Sequence, residues 1–168
     1  MNNKGEIIAI NAVRFTRILP AHPTRVWEFL TRTKNLPAWF GEGRIEPRIG
    51  GAVRLMGEHI RGTVTQWHEP HHLAYTWNVF EPDDAQDARS AHPESYLQLD
   101  LTAQGNTTLL RLTHFPVPEA FHNQTCMGWH TYLDLMEAAA KGNTSLTRAD
   151  LMQKNAALYG VDLNNLTR

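Results

Sequence analysis

The chain has 168 residues, 42% of them hydrophobic, and its 16 basic and 17 acidic residues leave a net charge of −1. That is the length of a single domain with enough apolar content to build a core. Scattered cations at near-zero net charge exclude a phosphate-tracking surface, so no nucleic-acid partner is expected, and no apolar run approaches the ~18 residues of a membrane span.

In chain order, Ile7 to Leu19 reads as a long first strand, with Val13, Phe15, Arg17 and Leu19 on one face. Pro20-Ala-His-Pro23 ends it. A short helix over Thr24 to Leu30 follows, with Val26, Trp27 and Leu30 inward, and then a further turn of helix around Asn35 to Phe40. Six strands come next: Arg44–Arg48, Ala52–Met56, Ile60–His68, Leu73–Phe80, Ser95–Ala103 and Thr107–Phe115. Gly50-Gly51, Glu69-Pro70 and Gly105-Asn106 supply the turn chemistry between them. Connections this short pair neighbouring strands antiparallel.

Parity identifies the buried sheet face. Leu97, Leu99 and Leu101 alternate with polar residues, and Leu110, Leu112 and His114 form the matching row on the next strand. A long helix from Glu119 to Lys141, roughly 35 Å at ~1.5 Å per residue, can cover that face. On its wheel Cys126, Tyr132, Leu133, Met136 and Ala140 lie within roughly 60° of Trp129, while His130, Asp134, Glu137 and Lys141 lie opposite. The order of elements predicts an α+β fold with the helices on one face of an antiparallel sheet of about six or seven strands.

Two segments fall outside this plan. Residues 81–93 form a polar loop without periodicity, read either as a solvated acidic loop or as a lid. After Gly142, Thr147-Arg-Ala-Asp150 is a helix start, and Leu151 to Tyr159 an extra short helix ended by Gly160. That helix can bury its apolar side on the domain's own flank or on a second subunit, so a homodimer through the tail or the sheet edges is one expected assembly. The whole chain, 1–168, reads as one domain with a core over about 7–142 and an extension over 143–168.

Candidate chemistry is sparse. Cys126 is the sole cysteine and sits on the apolar helix face, where a buried thiol is expected and not a nucleophile. With no secretory h-region at Met-Asn-Asn-Lys-Gly-Glu, a cytoplasmic location is the expectation. His68, His71 and His72 beside Glu69 read as a solvated hairpin turn, because consecutive strand residues point to opposite faces; no metal site is expected there or at Glu58-His59. No phosphate loop or nucleophile elbow is present, and no cofactor is expected. His114 is read either as a satisfied core histidine or as an acid–base group in a cavity. Trp39, Trp77 and Trp129 are core or pocket-wall residues, and Met56, Met127 and Met136 can fill gaps or adapt to a ligand.

Six stretches carry a family likeness. Ile18-Leu-Pro-Ala-His-Pro-Thr-Arg-Val-Trp27 and Leu36-Pro-Ala-Trp-Phe-Gly41 come first, followed by Pro47-Arg-Ile-Gly-Gly51 and by Gly62 to Trp77 with Pro70 and Tyr75-Thr-Trp77. Thr108 to His114 and Gly128-Trp129…Leu133-Asp134 complete the set. In this order they resemble the SRPBCC (START-like) superfamily, and within it the branch of homologues of the heat-shock-protein-ninety ATPase activator. The likeness covers roughly Val13 to Gly142. It implies a helix-grip fold, a curved antiparallel sheet wrapped around the long C-terminal helix, commonly with an apolar cavity between the two. Family membership spans carriers, receptors, cyclases and co-chaperones, so it does not select an activity.

Three functions follow as expectations. The first is binding of an apolar or aromatic small molecule between sheet and helix, with Trp39, Met56, Trp77, Leu97, Leu99, Leu110, Leu112, His114, Trp129, Leu133 and Met136 facing it. The second, implied by the resemblance, is a chaperone partner whose ATPase the domain stimulates. The third is a cyclase or hydrolase using His114.

Overall fold

The computed structural model describes residues 4–80, 90 and 92–168. Its elements are β1 (Val13–Leu19), α1 (Pro23–Thr31), a single 3-10 turn (Leu36–Ala38), β2 (Gly43–Ile45), β3 (Ala52–Leu55), β4 (Ile60–His68), β5 (His72–Val79), β6 (Ser95–Gln104), β7 (Thr107–Phe115), a 3-10 turn (Glu119–Phe121), α2 (His122–Ala140) and α3 (Arg148–Tyr159). Among the described residues these strands form one antiparallel sheet ordered β1-β7-β6-β5-β4-β3-β2. The α+β helix-grip architecture is therefore the observed one, with α2 lying on the sheet. No helix of the described residues is long and apolar enough to cross a membrane.

Boundaries differ from expectation where backbone donors run out. The first strand begins at Val13 and not at Ile7, because its partner β7 ends at Phe115, where Pro116 has no N–H to offer. Ile7, Ile8 and Ile10 are consequently exposed. β2 stops at Ile45 ahead of Pro47, and the second helix contracts to the turn Leu36–Ala38. The long helix starts at His122 after the 3-10 turn, three residues later than the apolar pattern suggests. The expected loop over 81–93 lies largely outside the described residues.

The register of β5, β6 and β7 aligns the predicted apolar rows. Leu97 pairs with Tyr75 and His114, Leu99 with Leu73 and Leu112, and Leu101 with Leu110. Leu97, Leu99, Leu110 and Leu112 are essentially inaccessible, and Trp129, Leu133 and Met136 of α2 join them in one continuous core. At ~25 cal/mol per Å2 of apolar area, each such leucine contributes about 2 kcal/mol.

The tail helix packs inside the chain. Thr147 caps α3 by accepting the Asp150 backbone N–H, and Gly160 closes it in the left-handed region at φ 64°. α3 lies on α2 through Leu151, Asn155 and Ala156, all buried. This converts the nominally polar side of α2 into an interface: Thr131 is fully buried, and Asn155 Nδ2 donates to Thr131 Oγ1 at 3.1 Å. His130 Nδ1 lies 2.9 Å from the Tyr159 hydroxyl, and Asp134 receives Arg17 from β1 at 2.9 Å.

Candidate functional site

The end of the sheet nearest the N-terminus of α2 carries a concentration of aromatic and histidine side chains. β5 brings Trp77, β7 brings His114, and α2 brings Trp129. The Trp77 ring centroid lies 5.3 Å from that of Trp129 and 5.2 Å from that of His114. Phe40, from the segment after α1, stacks on Trp129 at 5.9 Å and also meets Tyr132 at 4.6 Å. The alternation of β5 dictates this: Leu73, Tyr75 and Trp77 share the face paired to Leu99, Leu97 and Ser95.

A polar chain runs through the cluster. The Trp129 indole N–H donates to Nδ1 of His114 at 3.0 Å. Since indole can only donate, Nδ1 is the acceptor, and the neutral ring carries its proton on Nε2. That Nε2–H donates to Ser95 Oγ at 2.7 Å, and the Ser95 hydroxyl in turn points to the Trp77 carbonyl at 3.4 Å. Burial pushes the pKa of His114 down to about 4, so the ring is neutral near pH 7.

Beside this chain lies a cavity of about 170 Å3. Trp77 and Val79 from β5, Ser95 from β6, and His114 from β7 form one side; His92 and Pro93 flank them. The other side is the β7–α2 connection, Pro116, Val117, Pro118 and Phe121, with Thr125 from the first turn of α2. Among the described residues the lining is mostly apolar, with the Ser95 and Thr125 hydroxyls and the two histidines as its polar features.

Of the residues expected to face a ligand, Trp77 and His114 line this cavity. Trp129 stands directly behind His114. Leu97, Leu99, Leu110, Leu112, Leu133 and Met136 pack against one another under α2. Trp39 is buried with its indole N–H on the Phe29 carbonyl at 2.8 Å, and Met56 receives the Tyr132 hydroxyl on its sulfur at 3.9 Å. Ser95, Val117, Phe121 and Thr125 were not singled out from sequence. They come from a strand end, a connection and the first turn of α2, where no periodicity flags a wall.

The remaining candidates are dispersed. His72 Nδ1 meets Asp100 Oδ1 at 2.6 Å and its Nε2 meets Gln66, while His71 Nδ1 lies 3.3 Å from the Leu101 carbonyl. His59 Nδ1 lies 2.7 Å from the Phe80 carbonyl. Cys126 is half-buried, and burial raises its thiol pKa, the opposite of what a thiolate nucleophile requires.

The family described as Activator of Hsp90 ATPase homolog 1-like protein matches residues 20–141, from the end of β1 to the end of α2. The chain belongs to this family. No curated protein matches it. Among solved structures, the activator-homologue domain is similar to CalU16 from Micromonospora echinospora at 24% identity and a TM-score of 0.70, over 89% of this chain and 86% of that one. It is also similar to protein MLL2253 from Mesorhizobium loti at 20% identity, with a TM-score of 0.66 over 81% of this chain and 100% of that one. An HSP90 activator from Plasmodium falciparum is similar at 19% identity, with a TM-score of 0.65 over 79% and 97%. At these identities the likeness is one of fold.

Proposed function

We propose that this activator-homologue domain binds a small apolar or aromatic molecule in the cavity beside Trp77, Ser95 and His114. The observation that carries the reading is the cavity itself, about 170 Å3 between an aromatic wall and a proline-rich connection. An apolar cavity of about 150 Å3 accommodates a benzene-sized molecule, so the fitting group is a single ring. Ser95 Oγ, already held by His114 and Trp77, has a lone pair left for one donor on that ring. Leu97, Leu99, Leu110, Leu112, Leu133 and Met136 serve as the rigid backing, with Trp39 and Met56 closing the core behind Phe40.

Both ring nitrogens of His114 are occupied within the protein, which favours binding over turnover: neither has a free lone pair or proton for a substrate. The test is titration with p-cresol, followed in the indole N–H resonances of the five tryptophans. Trp77 is expected to shift, and Val79→Phe or Thr125→Phe, each filling the cavity, is expected to abolish the shift while the melting temperature holds. A p-cresol response that persists in both filled variants, or no response at all, would overturn the reading.

A second reading rests on the family description and on the solved HSP90 activator: docking on a chaperone ATPase. Stimulation of purified Hsp90 ATPase by the added domain supports it, and an unchanged rate with no co-purification ends it.

A further inference from the structure

A separate recess of about 550 Å3 lies at the other end of the β4–β5 hairpin, where Trp67 and Glu69 meet the C-terminus of α1 and the segment after β2. Its inner corner is aromatic. Trp27 of α1 and the half-buried Trp67 of β4 meet edge to face, with centroids 5.0 Å apart and planes at 81°. Trp27 is buried, so a flat ring can lie only on the half-buried Trp67 indole, with Trp27 backing it. Ile45 and Pro47 complete the apolar part.

The rim is charged and uncommitted. Arg32 and Lys34 both line the recess and are exposed, and among the described residues neither makes an ion pair or side-chain hydrogen bond. The helix carbonyls beneath them are satisfied from within. Thr31 Oγ1 donates to the Trp27 carbonyl at 2.7 Å, and Asn35 Nδ2 to the Glu28 carbonyl at 3.2 Å. The cations are thus not spent on capping α1. Glu69 also lines the recess and forms no ion pair with either cation. Two cations against one carboxylate leave the recess a net charge of about +1, which matches a monoanion.

We infer that this recess binds an aromatic monocarboxylate, its ring on Trp67 where Trp27 backs it and its carboxylate on Arg32 and Lys34. The recess has room for a fused two-ring acid, which the cavity of about 170 Å3 beside Trp77 does not. Glu69 sets polarity: it repels the acid group and directs it to the α1 side. The inference is independent of the proposed cavity ligand.

Two-dimensional nitrogen–proton NMR with 2-naphthoate tests it, because the indole N–H groups report the two sites separately. The expected result is movement of the Trp67 and Trp27 resonances, with Trp77 still, unaltered in Val79→Phe. Charge reversal at either cation, Arg32→Glu or Lys34→Glu, is expected to weaken binding at least tenfold, which is about 1.4 kcal/mol. Both reversals together abolish it. Glu69→Gln should bind naphthoate at least as tightly. Because all these positions are on the surface rim, the variants are expected to fold, and the unperturbed Trp129 resonance verifies it. Naphthoate that moves Trp77 instead, that binds Arg32→Glu/Lys34→Glu with wild-type affinity, or that moves no indole resonance overturns the assignment.

Discussion

Trp129 and His114 are joined by a hydrogen bond that fixes which nitrogen of the imidazole carries the proton. The indole N–H reaches Nδ1 at 3.0 Å, and the opposite nitrogen holds Ser95 at 2.7 Å. The bond joins the helix to the sheet inside the core, while the Arg17–Asp134 ion pair links them at the flank. Trp129→Phe preserves most of the ring stacking on Phe40 but leaves Nδ1 buried without a donor. The expected cost is about 2–3 kcal/mol by denaturant unfolding with an unchanged m-value, combining the unsatisfied acceptor with lost ring volume. In the wild type, imidazole nitrogen chemical shifts should report the Nε2–H tautomer alone.

Acid sensitivity follows from the same ring. Burial holds His114 at a pKa of about 4, whereas an unfolded histidine titrates near 6.5. Between those values the unfolded chain binds the additional proton, so stability rises with pH across the window. The folded state keeps the full benefit above about pH 6.5 and loses it progressively toward pH 4, by about 3 kcal/mol at most. His114→Gln, which retains a donor and an acceptor but cannot titrate, should flatten that acid limb. Unfolding free energies at pH 7, 5.5 and 4.5 for both proteins check it; parallel curves would rule out His114 as the source.

How much of this was legible beforehand depends on the kind of pattern. The rows Leu97–Leu99–Leu101 and Leu110–Leu112–His114 obey a period of two, and the structure buries all six together. Trp129, Leu133 and Met136 obey the helical period and meet them. The caps of α3 are chemical signals, Thr147 at one end and Gly160 at the other, and both sit where the sequence suggests. The polar side of α2 was a different matter. A helical wheel sorts by residue type, and His130 and Asp134 look like a solvated face, yet α3 packs there, with Asn155 Nδ2 donating to Thr131 and to Asp134. The cavity was equally opaque, because Pro116, Val117 and Phe121 belong to a connection whose path depends on where the sheet ends.

The α2–α3 contact tests that hidden interface. Asn155 is fully buried; its Nδ2 donates to Thr131 at 3.1 Å and to Asp134 at 3.4 Å, while its Oδ1 has no partner among the described residues. Asn155→Ala removes the donors and opens space, with an expected loss of about 2 kcal/mol. The double variant Asn155→Leu/Thr131→Val replaces both bonded partners by apolar groups of similar shape and also removes the unpaired oxygen. It should lie within about 1 kcal/mol of wild type, because Asp134 keeps its 2.9 Å contact with Arg17. A double variant as unstable as Asn155→Ala would mean that the polar pairing itself holds α3 in place.

Gly62 shows a constraint that no side-chain change can relieve. It lies in β4 opposite β5, two residues before the register shift between Val64 and Gln66. A Cβ at Gly62 would stand 1.8 Å from the Thr76 carbonyl oxygen, far inside van der Waals contact. The obstacle is backbone, so the strands must separate or the hairpin must bend. That would break the 2.9 Å bond from the Thr63 N–H to Thr76 Oγ1. Gly62→Ala is therefore expected to cost about 3 kcal/mol or more, a large part of the roughly 5–15 kcal/mol that stabilises a domain. Adding Thr76→Ala should not rescue it, since the clashing oxygen remains. Recovery of the melting temperature in the double variant would place the conflict in the threonine side chain instead, and the β4–β5 spacing would then be adjustable.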